Sequence, residues 1–211
     1  MQEEFKNRNF RNKVLNIENT PRCTLACPSC KRVSYLNKHG WKTKIPGDDL
    51  TPDQFRKIIK YFRKINWCGQ LSDPIYGKHF IELLEICYET DTWCKVATAA
   101  SSRSKDWYTR AFKANPKAEW IFGVDGPPHL SHLHRINQDG EHLFKMMCLA
   151  KDLGLDPVWQ IIVFSFNENY LEECMTKTKE HDLKVDVIIS SRDVPKDLLP
   201  KNPKYNVDQR I

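Results

Sequence analysis

The chain has no long apolar segment and no signal for export. No run of its 211 residues approaches the roughly 20 apolar residues that a membrane-spanning helix needs. The N-terminal stretch MQEEFKNRNF is polar and charged, and it lacks the apolar h-region of a secretory signal peptide. We therefore expect a cytoplasmic protein without a membrane partner. In that reducing compartment, the eight cysteines are expected to be thiols or metal ligands rather than disulfides.

Two patterns of common cofactor and metal sites are also absent. No glycine fingerprint follows the first predicted strand, which argues against a dinucleotide-binding fold. Cys27 and Cys30 form a C-x2-C pair, but no second such pair accompanies them. Structural zinc sites usually take four ligands from two separated pairs, so this zinc pattern is incomplete.

The composition fits one globular domain with a mildly basic surface. Hydrophobic residues make up 40% of the chain and charged residues 28%. The formal net charge is +6, which would favour an acidic electron donor or a polyanionic substrate through electrostatic steering. No run of lysine and arginine is dense enough to indicate nucleic-acid binding. We predict a core domain over 1–190 and a C-terminal tail over 191–211.

Strand and helix patterns alternate six times along the chain. Alternating or continuous apolar runs predict strands at 13–18, 66–72, 94–100, 119–124, 158–166 and 183–189. Helical spacing of apolar residues predicts helices at 52–65, 80–88, 106–114, 140–153 and 169–181, with a long loop over 31–49. This order predicts an α/β fold with a parallel sheet and right-handed crossovers, curved into a partial (β/α)6 barrel. Chemistry in such barrels lies at the C-terminal ends of the strands.

A cysteine triplet follows the first predicted strand directly. Cys23, Cys27 and Cys30 form a C-x3-C-x2-C motif inside eight residues. A [4Fe–4S] cluster normally takes four thiolates, so three close thiolates without an obvious fourth leave one iron open to another ligand. Zinc is the alternative, with His39 or a histidine from 129–134 as the fourth ligand, and the residues alone leave both metals open.

The triplet closely resembles the cluster-binding loop of radical S-adenosylmethionine (radical SAM) enzymes. Thr24 and Leu25 follow the first cysteine and Pro28 the second, although Ser29 stands where many members have an aromatic residue. The resemblance implies a [4Fe–4S] cluster on the three cysteines and S-adenosylmethionine on the open iron. In that family, one electron then breaks the sulfonium C–S bond, and the resulting 5′-deoxyadenosyl radical takes a hydrogen atom from the substrate.

Further stretches after predicted strands resemble the cofactor-binding segments of the same family. Ser72-Asp73-Pro74 stands in place of a Gly-Glu-Pro turn, the pair Asp125-Gly126 matches the end of the fourth strand, and Arg135 takes the place of a carboxylate clamp. Gly123 replaces a usual serine there. The resemblance implies cofactor contacts from six residues, while the catalytic residues stay unknown: Asp73, Thr98, Ser101, Arg103, Asp125 and Arg135.

The resemblance covers about residues 13–190 and implies the partners. It matches the core domain of SPASM/twitch-type members, and since no cysteine follows Cys174, we expect no auxiliary cluster. It implies a one-electron donor such as flavodoxin or ferredoxin and a substrate that is a peptide, a protein or a small metabolite. The alternative is a non-catalytic basic module that zinc or a cluster stabilises and that binds RNA or protein. We interpret His129, His132 and His134 as part of a solvated loop, and 31–49 as a lid over the barrel mouth.

Overall fold

A six-stranded parallel sheet forms the centre of the protein. The computed structural model describes residues 10–190 and 194–205. The strands lie side by side in sequence order: β1 Val14–Ile17, β2 Lys64–Trp67, β3 Trp93–Thr98, β4 Glu119–Gly123, β5 Val158–Val163 and β6 Lys184–Ile189. Every neighbouring pair is parallel. Within the described residues β1 and β6 do not pair, so the sheet is open, and the predicted partial (β/α)6 barrel is confirmed.

Helices connect the strands and cover the outer face of the sheet. They are α1 Lys31–His39, α2 Pro52–Ile58, α3 Phe80–Glu89, α4 Lys105–Ala114, α5 Gly140–Asp152 and α6 Leu171–Glu180. Side-chain caps explain where several of them begin. Thr51 and Gln54 form a reciprocal capping box on α2. The Ser104 and Asp139 side chains accept hydrogen bonds from the first turns of α4 and α5.

The core lies between the helices and the outer face of the sheet. Trp67, Trp120, Phe122 and Trp159 point to that side and are almost completely buried. Because side chains alternate along a strand, the neighbouring positions face the concave side. There, residues from β3 to β6 line one cavity together with the loops after β1 and β2. The sheet therefore curves around that cavity.

Three predicted boundaries differ clearly from the structure. The strand predicted at 66–72 lies at Lys64–Trp67, and 68–73 form the loop that follows it. The predicted loop over 31–49 contains α1, whose only buried residues are Val33 and Leu36, too few to show helical periodicity among polar neighbours. The predicted helix over 52–65 ends at Ile58. Phe62, which continued its apolar spacing, instead stacks on Phe10 with ring centroids 5.4 Å apart, and the next residues form β2.

Part of the predicted tail lies against the loop that follows β5. The Ser165 N–H donates to the Leu198 carbonyl at 3.0 Å. The Glu168 carboxylate accepts from the N–H groups of Lys201 and Asn202, both at 2.9 Å. Residues 191–193 and 206–211 of the tail lie outside the described residues, and the domain boundary at 190 stays a prediction. No helix in the described ranges combines the length and the apolar character needed to cross a membrane.

Candidate active site

A cavity of about 330 Å³ opens at the C-terminal ends of the strands. The loop after β1 contributes Cys23, Leu25, Cys27, Ser29 and Cys30, and the loop after β2 contributes residues from Cys68 to Asp73. Small side chains at Ala97, Ala99 and Gly123 form part of the wall and keep the space open. The cavity therefore lies where barrels of this type place their chemistry.

Backbone hydrogen bonds fix the cysteine loop at the cavity. The Cys30 N–H donates to the Cys27 carbonyl at 3.0 Å and closes a turn between these two cysteines. The Ala26 N–H donates to the Ile136 carbonyl at 3.0 Å, which ties the loop to the segment after β4. Cys30 is also the N-cap residue of α1, so the positive end of that helix dipole faces the loop. These contacts hold the loop between the segment after β4 and the start of α1.

Burial keeps two of the thiols protonated while no cation is bound. It raises the pKa of Cys23 to about 12, and the nearby Asp73 carboxylate adds to the rise. Burial also raises the pKa of Cys27, although the guanidinium of Arg135 acts in the opposite direction. A metal cation deprotonates coordinating thiols outright. Without a bound cation, these two thiols are therefore poor nucleophiles.

Asp73 joins the turn after β2 to the end of β3. Its buried carboxylate accepts from the Thr98 hydroxyl at 2.8 Å and from the N–H groups of Ala99 and Ala100 at 2.9 and 3.0 Å. The Ile75 N–H is a fourth donor, at 3.3 Å. Burial raises the pKa of Asp73, and these four donors oppose the rise. The lone-pair sites of the carboxylate are thus used within the protein, so a cofactor contact from Asp73 would have to break one of these bonds.

A buried ion network holds Arg135 at the opposite wall. The Asp125 carboxylate is fully buried and accepts from Arg135 Nε at 2.8 Å and Nη2 at 3.5 Å. It also contacts His134 Nδ1 at 2.9 Å and accepts from the Ile162 N–H at 3.1 Å. Burial acts to raise the pKa of Asp125, but Arg135 and His134 outweigh it and hold that pKa below its usual range. Asp125 therefore stays ionised and fixes the guanidinium of Arg135 beside Cys27.

Only some of the six predicted cofactor residues reach the cavity. Asp73, Thr98 and Arg135 line it, whereas Asp125 lies behind Arg135. The Ser101 hydroxyl accepts from the Asp139 N–H at 2.7 Å and supports the start of α5. Arg103 lies farther away, where its Nε donates to the Ile75 carbonyl at 3.0 Å. The roles of all six in cofactor binding stay predictions.

Other lining residues were not singled out from the sequence. His134 is 4% exposed and packs on Phe164 with ring centroids 4.2 Å apart, so its assignment to a solvated loop is wrong, although His129 and His132 are exposed. Its pairing with Asp125, nine residues earlier, leaves no periodic signal in the sequence. Gln160 and Ile162 also line the cavity, which settles the inward face of β5.

Unpaired polar atoms suggest that an anionic group fits among these residues. Ser29 Oγ, Arg32 Nε and His134 Nε2 are buried and have no hydrogen-bond partner among the described residues. Ser29 and His134 line the cavity, and the charge of Arg32 acts on Cys23. Across the described ranges, no three His, Cys, Asp or Glu side chains are arranged to hold a single metal ion. A four-iron cluster is larger than one ion and carries sulfides that accept hydrogen bonds, so the three thiols and their polar neighbours fit it.

Comparison with known proteins gives structural matches alone. Neither a protein-family model nor a curated protein matches the sequence. Among solved structures, Streptococcus suis SuiB bound to S-adenosylmethionine superposes with a TM-score of 0.71 at 13% identity, over 95% of this chain and 46% of SuiB. Methylornithine synthase (PylB) superposes with a TM-score of 0.61 at 15% identity, over 94% of this chain and 56% of that protein. The enzyme anSMEcpe with bound AdoMet superposes with a TM-score of 0.60 at 16% identity, over 83% of this chain and 50% of that protein.

These likenesses show the fold. The identities are too low to transfer a reaction, and the chain spans about half the length of the proteins that it matches. SuiB has also been solved with its precursor peptide SuiA, and anSMEcpe with the Cp18Cys peptide. The superposed part is 83–95% of this chain.

Proposed function

We propose that this chain, which has the fold of the radical SAM enzymes, is an enzyme that binds a [4Fe–4S] cluster and S-adenosylmethionine. Cys23, Cys27 and Cys30 would hold the cluster. The observation that carries the proposal is that these three thiols of one loop line a single cavity at the carboxyl edge of the sheet. When bound, the cluster and the nucleotide would supply one-electron cleavage of the sulfonium C–S bond and so a radical able to take a hydrogen atom.

Arg135 is proposed to bind the carboxylate of the nucleotide's methionine part. Its Nε and Nη2 are engaged by Asp125, which leaves the remaining N–H groups for Cys27 and a ligand. Such a guanidinium is always charged and binds a carboxylate in a defined geometry. Asp125 would therefore act as a positioning residue, because without it the side chain of Arg135 loses its direction.

The turn after β2 is proposed to receive the amino group of the nucleotide. The carboxylate of Asp73 is saturated by protein donors, so we assign this role to backbone carbonyls of Gly69 and Ser72, two residues of the turn that line the cavity. Asp73 and Thr98 then fix that turn against β3. Gln160 and Ile162 would contact the adenine from the inward face of β5.

A peptide or protein is the substrate class that we favour. SuiB and anSMEcpe, whose structures contain peptides, share the fold of this chain. The open sheet also leaves the concave face accessible, since Asn66, Lys95 and Gln160 on that face are half-exposed. A small metabolite is the competing class, because methylornithine synthase shares the fold as well. Reduced flavodoxin or ferredoxin is proposed to supply the electron.

Anaerobic reconstitution with iron and sulfide tests the proposal. We expect about four irons per chain and a brown protein. With dithionite it should cleave S-adenosylmethionine to 5′-deoxyadenosine, measured by mass spectrometry. Replacement of Cys23, Cys27 or Cys30 by alanine should remove the iron and the product together. Cys148→Ala is the matched control, since this half-buried thiol lies on α5 and outside the cavity. Product formation without bound iron would contradict the proposal.

The position of Cys68 is the observation that favours the alternative function, a non-catalytic module stabilised by a metal. It lies directly after β2 and lines the same cavity as the triplet, so a fourth thiol is within the site. If it completed a four-cysteine site, the metal would have no open position, and the chain would be a structural module that binds RNA or protein. Cys68→Ala separates the two cases. The radical-enzyme proposal expects iron and cleavage to persist, whereas a four-cysteine site would lose its metal.

A further inference from the structure

The segment 31–44, which begins directly after Cys30, carries a strong excess of positive charge. Of the 33 basic and 27 acidic residues in the chain, five basic and no acidic residues lie here. This basic segment therefore accounts for five of the six net positive charges, and the rest of the chain is close to neutral as a whole. Its charged members are Lys31, Arg32, Lys38, Lys42 and Lys44.

The charges of the basic segment are presented on a fixed surface. Val33 and Leu36 are buried on one side of α1, and Ile45, directly after the segment, is buried as well. All four lysines of the segment are exposed. Lys44 lies 3.7 Å from Asp48, but with both side chains at least 80% exposed this ion pair is weak. In the part of the chain that the structure describes, the other three lysines form no ion pair.

The basic segment also adjoins the cysteine loop. Cys30 is the N-cap residue of α1, so the segment continues directly from the proposed cluster ligands. The positive charge of Arg32 is close enough to act on the thiol of Cys23. Trp41 is 57% exposed and offers an aromatic contact within the charged surface. A protein docked here would therefore sit beside the metal site.

We propose that the basic segment is the docking surface for an acidic one-electron donor protein of the flavodoxin or ferredoxin kind. The inference rests on the proposed function, because only a redox centre at the cysteine loop needs such a partner. The reduced donor loses one electron per docking event. That electron breaks the C–S bond of one S-adenosylmethionine and leaves methionine and a radical, which becomes 5′-deoxyadenosine on taking a hydrogen atom from the substrate. Charge complementarity would raise the association rate by about 10-fold to 1,000-fold at low salt.

Binding of a purified acidic flavodoxin to the reconstituted protein tests the surface without any turnover. The variant combines Lys38→Glu, Lys42→Glu and Lys44→Glu, and calorimetry gives the dissociation constant. The matched control makes the same charge change with three exposed lysines on α4, α5 and α6: Lys113→Glu, Lys145→Glu and Lys179→Glu. We expect affinity to fall about tenfold or more in the first triple and to stay close to wild type in the control.

Salt dependence and two reductants complete the test. Wild-type affinity should be higher at about 0.01 M salt, where the screening length is about 30 Å, than at about 1 M, where it is about 3 Å. Formation of 5′-deoxyadenosine with flavodoxin should fall in the first triple, whereas formation with dithionite, which needs no docking, should be unchanged. Circular dichroism checks that the first triple variant keeps its helical content. If helix is lost, a second variant with glutamine instead of glutamate at the same three positions takes its place.

Several results would overturn the docking surface. Equal losses of flavodoxin binding in both triples would show a general charge effect, and unchanged binding in the first triple would show that the donor docks elsewhere. Loss of binding to a short single-stranded RNA, with flavodoxin binding intact, would assign the basic segment to nucleic acid. If the wild type forms no 5′-deoxyadenosine with dithionite, the proposed function is refuted instead. The docking surface fails separately, in the binding measurement, which does not depend on turnover.

Discussion

The substitution Asp125→Asn tests the buried network that directs Arg135. The carboxylate is fully buried and accepts two hydrogen bonds from Arg135 and one from the Ile162 N–H, and it contacts His134 Nδ1. An amide removes the charge and turns one acceptor into a donor that faces another donor. Removing one partner of a buried ion pair costs about 3–5 kcal/mol, and since Arg135 is 16% exposed we expect the lower end of that range.

Urea unfolding followed by tryptophan fluorescence measures this loss. Trp159 is a suitable reporter, because it is buried and its Nε1 donates to the Val124 carbonyl at 2.8 Å. The variant should have a lower midpoint at an unchanged slope. Asp182→Asn is the matched control: this side chain is 91% exposed, contacts Lys151 at 2.8 Å, and should leave the midpoint close to wild type. A loss below about 1 kcal/mol for Asp125→Asn would refute the account of the network.

The same network predicts a pH dependence with a defined sign. The folded-state pKa of Asp125 is lowered, so its contribution to stability is complete above the unfolded-state pKa of about 3.9 and is lost as the pH falls through the folded-state value. The stability difference between the wild type and Asp125→Asn should therefore shrink as the pH falls below about 4. A difference that grew on acidification would contradict the assigned ionisation.

Two further substitutions test single structural features by urea unfolding. Gly126→Ala should cost more than the about 1–2 kcal/mol of a left-handed backbone, because φ is +92° and the new Cβ would lie 2.6 Å from Asn167 Cβ. Gly154→Ala is its control, since φ is +85° but no atom lies within 4 Å; equal losses would refute the steric argument. Asp73→Asn should leave a buried backbone N–H without an acceptor in either orientation of the amide, that of Ile75 or those of Ala99 and Ala100, at about 1–3 kcal/mol, and an unchanged stability would contradict that role.

Much of the fold could be predicted because its signals are local. Strands such as β3 and β5 bury every second residue, and the sequence marks them as short runs of apolar and small residues between turn residues. The cysteine loop could be placed as well, since it follows β1 directly and strand ends of a parallel sheet share one edge. Helix α1 escaped prediction because two buried residues do not make a periodic pattern.

The rest of the site depends on contacts between distant parts of the chain. Nothing local distinguishes His134 from its exposed neighbours, because its burial follows from the pairing with Asp125. Ser101 and Arg103 follow β3 as predicted, but their side chains turn to the Asp139 N–H and the Ile75 carbonyl rather than to the cavity. Cys68 lies next to the triplet only because β2 pairs with β1. The position of a residue in the sequence therefore predicts which edge of the sheet it lies at. The direction of its side chain depends on tertiary packing, which the sequence pattern does not show.

Magnetic resonance of the reduced, reconstituted protein tests the central claim most directly. The sample is measured with and without S-adenosylmethionine that carries labelled nuclei in its amino and carboxylate groups. If Cys23, Cys27 and Cys30 leave one iron open, the nucleotide should change the electron paramagnetic resonance spectrum, and the labelled nuclei should show coupling to the iron. A spectrum that the nucleotide leaves unchanged, without any such coupling, would show that the fourth position is already occupied and would contradict the proposed enzyme.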